Sequence, residues 1–158
     1  MQRIKQLGIW LGMAVMLMAV CTGCTAHAGK EVDPVQAAEQ LKQALEWQDT
    51  LTRLDDGAIA LLYNIRQEDV SAQCVYASTG ATAEEVAVFT ATDDEAVERI
   101  LQAAQARVTE LRSGFENYVP QEMQKLANPV LCVRGNTVIL CIHSDNERAL
   151  EEIDALFQ

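Results

Sequence analysis

Ser78-Thr79-Gly80-Ala81-Thr82-Ala83-Glu84-Glu85-Val86-Ala87-Val88-Phe89-Thr90-Ala91-Thr92-Asp93-Asp94-Glu95 decides the fold. Ser78–Thr82 is small, rich in hydroxyls and holds a glycine, which is turn chemistry. Before it, Ala72–Ser78 alternates in polarity and carries Val75 and Tyr76. After it, Glu85–Thr90 is β-branched and aromatic, so the three pieces predict a hairpin. Thr92 and Glu95, three residues apart, then form a capping box, and the strand must give way to a helix. Val97, Ile100, Leu101, Ala104, Val108 and Leu111 recur at helical spacing and make its buried stripe. Glu98, Arg99, Gln102, Arg107 and Arg112 fall largely outside that stripe, and Gly114 ends the helix.

The same plan returns at the C-terminus. Val130–Val133, a Gly135-Asn136 turn and Val138–His143 read as a second hairpin. Ser144-Asp145-Asn146-Glu147 is a second capping box, followed by Leu150, Ile153, Leu156 and Phe157 at helical spacing. A shift of 53 positions lays Val86-Ala87-Val88-Phe89 on Ile139-Leu140-Cys141-Ile142, with the two capping boxes out of step by one residue. Between the two units, Phe115–Leu126 is an irregular crossing in which Tyr118 either plugs the core, the expected role, or faces a partner.

Upstream, Asp33 and Pro34 start a helix whose stripe is Val35, Ala38, Leu41 and Leu45, with Trp47 at the edge of the core. Thr50–Leu54 reads as a connector. Asp55-Asp56-Gly57 caps a shorter helix through Tyr63, with Ile59, Leu62 and Tyr63 facing inward. Adjacent carboxylates point to different faces, so capping explains the Asp pair better than metal binding does. The expected fold is therefore α+β. A four-stranded antiparallel sheet from two hairpins is covered on one face by two helices, with one or two N-terminal helices at an end or edge of this two-layer sandwich.

The first residues have a different character. Arg3 and Lys5 precede the uncharged apolar run Leu7–Val20, 14 residues long. A membrane-spanning helix needs roughly 20 residues, so the run fits a secretory signal core better than a permanent span. Gly23 precedes Cys24, the small-residue-before-cysteine pattern of a bacterial lipoprotein signal, although Cys21 stands where leucine is usual. The expected organisation is a signal peptide over 1–23, a tether over 24–32 with lipid on Cys24, and a single domain over 33–158. That places the protein outside the cell, held on the outer face of the cytoplasmic membrane. Two or more acyl chains anchor stably where one does not.

Removing residues 1–23 takes away two of the 12 basic residues and none of the 23 acidic ones, leaving a formal charge of −13. Such a surface disfavours nucleic acid and anionic headgroups as partners. Three thiols remain beyond Cys24, at Cys74, Cys132 and Cys141, all in apolar runs where cysteine behaves as a small hydrophobe. With a two-residue Gly135-Asn136 turn, Cys132 opposes Ile139 and Cys141 opposes Val130. The two thiols then sit on a diagonal of about 7–8 Å, outside disulfide reach, and free thiols are expected.

With Leu62-Tyr63, Ser78–Phe89, Tyr118-Val119-Pro120 and Arg134-Gly135-Asn136 behind a lipoprotein-type signal, the chain resembles the small lipoproteins of Gram-positive anaerobes built on domain of unknown function 4358. The Gly-Ala-Thr-Ala-Glu-Glu stretch at 80–85 is the most specific part of the likeness. The family pattern puts an aromatic residue after the Gly-Asn turn, where this chain has Thr137, a substitution that a sheet-edge position would accept. The resemblance implies an envelope lipoprotein and supplies no activity and no catalytic residues.

No nucleophile stands beside a base in the sequence. His27 lies in the tether, and His143 lies at a cap, where a structural role is expected. No catalytic residue, metal ligand or cofactor is expected. The favoured function is a non-catalytic module that binds an envelope protein or peptide, with Thr79, Gly80, Thr82 and Tyr118 as its candidate surface. A small-ligand carrier is one alternative. An envelope-acting hydrolase using two of the carboxylates Glu84, Glu85, Asp93 and Asp94 is another.

Overall fold

The computed structural model describes residues 31–158. The signal peptide, Cys24, His27 and all of the tether except Glu31 and Val32 lie outside the described residues. Five α-helices and five strands are present among them: α1 Pro34–Ala44, β1 Thr52–Arg53, α2 Asp56–Tyr63, β2 Val70–Ala77, β3 Glu85–Ala91, α3 Asp94–Phe115, α4 Met123–Ala127, β4 Val130–Arg134, β5 Thr137–Ile142 and α5 Asn146–Leu156. Short 3-10 turns at Gln67–Asp69 and Pro120–Glu122 precede β2 and α4. No helix of the described residues is long and apolar enough to cross a membrane.

Aspartates set the helix starts. Asp33, Asp55, Asp93 and Asp145 are the N-caps of α1, α2, α3 and α5, and each side chain accepts the backbone N–H three residues on. Each such cap contributes about 0.5–2 kcal/mol. Both expected capping boxes are thereby displaced by one residue, from Thr92 to Asp93 and from Ser144 to Asp145. A carboxylate outcompetes the neighbouring hydroxyl because it also complements the helix dipole. The long helix runs one residue past Gly114, to Phe115.

Both hairpins form, the second in the expected register. Cys132 opposes Ile139 and Val130 opposes Cys141. The hairpins join through β3 and β5, giving one antiparallel sheet of order β1-β2-β3-β5-β4. The expectation of four strands is corrected to five. The stretch read as a connector holds β1, whose Thr52 and Arg53 pair with Ala77 and Tyr76.

The expectation of two layers is also corrected. One side of the sheet buries Val75, Ala87, Phe89, Val138 and Leu140 against α2, α3 and α4. The opposite side buries Cys74, Val86, Val88, Ile139 and Cys141 against α1 and α5. The sheet thus lies between two helical layers, and the two helices expected to share a face cover opposite ones. Every residue of β3 and of β5 is buried. A strand buried on both faces reads as a continuous apolar run rather than an alternating one, as Val86–Phe89 and Val138–Ile142 do. Thr137, expected at an edge, pairs with Thr90 and Arg134 at the start of an interior strand and is 1% exposed. Val32, placed in the tether, packs against the α1–α5 side.

Candidate functional site

One end of the sheet collects most of the residues that the sequence singles out. β2 ends there, β3 begins there, and Glu85 stands opposite Ile142 at the end of β5. α3 starts at the far end of β3 and its 22 residues span ~33 Å, which returns the chain to this end with Tyr118. The connector after α1 (residues 45–50), the 78–84 loop and the 116–122 crossing therefore meet.

The loop is held closed by its own polar groups. Gly80 takes a φ of +94°, the left-handed region open to glycine, and the Ser78 hydroxyl donates to the Thr82 carbonyl at 2.6 Å. Asp49 accepts from both the N–H and the hydroxyl of Thr79, at 2.9 and 2.5 Å. Those bonds hold the Asp49 carboxyl below its ordinary value of 3.8. Beneath the loop the Glu84 carboxylate is fully buried. It accepts the N–H groups of Gln48 and Asp49 and the Thr82 hydroxyl, and lies 3.3 Å from the Lys125 ammonium. Lys125 also donates to the Gln48 side chain and pairs at 3.0 Å with Glu122, which accepts the N–H of Ala83. All three donors of that ammonium are occupied, and the cluster ties together the connector, the loop and α4.

Glu85 faces the opposite side of the sheet. Its carboxylate accepts from the Tyr63 hydroxyl at 2.5 Å and from the Arg107 guanidinium at 2.8 Å. Burial, reinforced by the Glu85 charge, pushes the Tyr63 phenol well above its ordinary 10. Arg107, expected outside the helix stripe, is buried by this bond. Glu84 and Glu85 are therefore not a flanking surface pair. Period-two geometry sends neighbouring side chains to opposite faces, and each carboxylate has its own cation. Asp93 caps α3 through Ala96 N–H, and Asp94 lies in the first turn of that helix. The structure does not bring these four carboxylates together.

Of the proposed surface, Thr79 and Gly80 are exposed and Thr82 is half-buried. Tyr118 is 78% exposed, which overturns its expected role as a core plug; Phe115, one turn earlier, fills that place. His143 is buried. Its Nε2 lies 2.8 Å from the Glu46 carbonyl, its Nδ1 lies 3.0 Å from the Asp145 backbone nitrogen and 3.1 Å from the Asp145 carbonyl, and its ring meets Trp47 edge-on. Those contacts join the end of β5 to the connector, a structural role. Cys74, Cys132 and Cys141 are free, the first and third buried and Cys132 half-buried. Burial raises all three thiols, Cys141 to about 12, so they are protonated at neutral pH and poor nucleophiles. Among the described residues no group of three His, Cys, Asp or Glu side chains is placed to hold a metal ion.

The buried glutamates escaped sequence reasoning because two adjacent acids beside a turn read as surface. The available signal was their place at the head of a wholly apolar strand. The second feature missed is a groove between α2 and the free part of β2, whose lining includes Arg53, Asp56, Ile59 and Gln73.

These features define a small α+β domain with a central antiparallel sheet, a polar-clamped loop and an exposed tyrosine at one end. The chain belongs to the family described as domain of unknown function (DUF4358), which matches residues 43–143. No curated protein and no solved structure matches it. The matched span contains both buried glutamate clusters, so the Gly-Ala-Thr-Ala-Glu-Glu stretch has a structural explanation. Its glycine turns the loop, and its two acids fasten that loop to separate partners, Glu84 to the connector and α4 and Glu85 to α2 and α3.

Proposed function

We propose that the chain is a non-catalytic binding module of the cell envelope. It is exported, carries lipid on Cys24, and is held on the outer face of the cytoplasmic membrane. There it contacts an envelope protein or peptide through Thr79, Gly80, Thr82 and Tyr118. The observation that carries this reading is Tyr118, 78% exposed, on the crossing whose Glu122 holds the Ala83 N–H of a loop that Asp49 also clamps at the Thr79 N–H. A rigid loop with an amphipathic ring loses little entropy on docking, and tyrosine is enriched at contact hot spots. The carboxylates offered for hydrolysis support this reading too. Glu84 is bound to Lys125, which Glu122 shares, and Glu85 to Arg107, so the two acids are held apart by different buried cations rather than set face to face as the acid and base that such chemistry needs.

A cross-linking pull-down from native envelopes, with the full chain as bait, tests the surface. One enriched protein that is lost with Tyr118→Ser or Thr79→Arg is the expected result. An identical capture profile for these variants and the parent chain rejects the surface. Labelled palmitate tests the anchor: incorporation that persists in Cys24→Ser rejects lipid attachment at that residue.

A further inference from the structure

The geometry points to a second binding surface: the free edge of β2 and the adjoining face of α2 form a groove for an extended peptide carrying an acidic side chain. It rests on the reading of the chain as a binding module, but not on the Tyr118 surface. β1 pairs only with Tyr76 and Ala77, and the Leu54 N–H reaches the Val75 carbonyl at 2.9 Å. Beyond that bond, no strand of the described residues lies beside Val70–Cys74 on this side. Val75 turns its carbonyl outward, whereas Ser78 turns its N–H toward β3 and Glu84. The two-residue period of a strand therefore turns the backbone N–H and C=O of Gln73 outward as well. An open row of this kind is a template for one more strand.

α2 makes the edge a groove rather than an open flank. Gly57 and Ala60, one turn apart, present a low wall. Ile59, Ile65 and Val70 supply apolar lining, and the open groove has a volume of about 640 Å³. Strand addition supplies backbone bonds, and an alternating side chain entering the lining supplies selectivity.

Charge selects the occupant. The chain as a whole is strongly acidic, yet two arginines lie along this groove. Arg66 is engaged by Glu68 and Asp69. Arg53 has no carboxylate within ion-pair distance among the described residues: Glu39 acts on it only from farther off, and the one acid of the lining, Asp56, accepts from the Gln73 amide at 3.0 Å on the α2 wall. Repulsion from the rest of the surface is screened beyond about 8 Å at physiological salt, so the local guanidinium governs what docks beside it. A second copy of the chain fits less well. The free edge is five residues long, and the β2 of a second copy would bring its own β1 along the same edge.

A displayed library of random heptapeptides, selected on the full chain, tests the groove. The expected winners alternate β-branched residues with one fixed Asp or Glu. Ala60→Trp, an exposed position that fills the groove, should weaken their binding at least tenfold, as should N-methylation of alternate peptide bonds. Selection on Arg53→Glu should replace the fixed acid with Lys or Arg. Failure to enrich over the Ala60→Trp chain overturns the proposal, as do winners that bind both chains equally. A dimer in sedimentation that Ala60→Trp abolishes also overturns it, in favour of a second copy. Because the groove's lining includes neither Tyr118 nor any residue of the 78–84 loop, failure here leaves the pull-down result standing, and the converse holds.

Discussion

Arg107 on α3 reaches the carboxylate of Glu85 on β3 at 2.8 Å, with both side chains almost wholly buried. Tyr63 donates to the same carboxylate from α2, so one acid joins three elements. Removing one partner of a buried pair strands a charge and costs about 3–5 kcal/mol, whereas exchanging both for apolar groups is often neutral. Arg107→Met should therefore cost about 3–5 kcal/mol in urea unfolding. Arg107→Met with Glu85→Leu and Tyr63→Phe should recover most of that loss. A triple variant no more stable than the single one would mean that the bonds themselves, not the stranded charge, hold these elements.

The Glu84 cluster leads to a prediction about local motion. Lys125→Met leaves Glu84 and Glu122 buried together without a cation, two like charges sharing the N–H groups of Gln48, Asp49 and Ala83. A loss of about 3–5 kcal/mol is expected. Hydrogen exchange should accelerate first at those three amides, before the amides of β3 and β5. Uniform acceleration along the chain would show that the clamp acts on global stability alone.

The sequence made the two hairpins, the register of the second and, to within a residue, four helix starts legible because each is encoded locally, by a turn, an alternation or a cap. The layers were not, since they depend on what lies across the sheet. Val86–Phe89 and Val138–Ile142 already signalled burial on both faces by lacking alternation, and reading them as one apolar face lost a layer. Arg107 and Glu85 eluded a periodicity argument because it assigns charges to solvent, and only tertiary proximity makes them partners. The free β2 edge is likewise a fact of pairing: Thr52–Arg53 is too short to be recognised as a strand, and its brevity is what leaves Gln73 uncovered.

Acid should weaken the fold through carboxylates that are held ionised. The Arg99 guanidinium, with Arg66 beside it, keeps Asp69 below its ordinary 3.8; the Tyr76 hydroxyl, with Gln43, keeps Glu39 below 4.5. A folded-state value below the unfolded one means that the unfolded chain takes up the proton first as pH falls. The stabilisation is thus present above about pH 4 and is lost as pH drops through the lower folded values. Thermal melts between pH 2 and 6 should show the midpoint falling below pH 4, with a shallower fall in Asp69→Asn. An unchanged slope in that variant would remove Asp69 from the acid response.

Alkali acts through the phenols. Tyr118→Phe leaves Tyr63 and Tyr76 as the only tyrosines. The Glu39 hydrogen bond and burial push Tyr76 up to about 12, and burial beside Glu85 raises Tyr63 well above 10. Below pH 10 both are protonated whether the chain is folded or not, and their stabilisation is complete. Above pH 10 the unfolded chain releases its phenolic protons while the folded chain retains them, so stability falls as pH climbs toward the folded values. In Tyr118→Phe the phenolate absorbance near 295 nm should therefore rise late, together with loss of the far-ultraviolet circular dichroism. Two phenols ionising near pH 10 with the dichroism intact would contradict the buried Tyr63–Glu85 bond and the Tyr76–Glu39 bond alike.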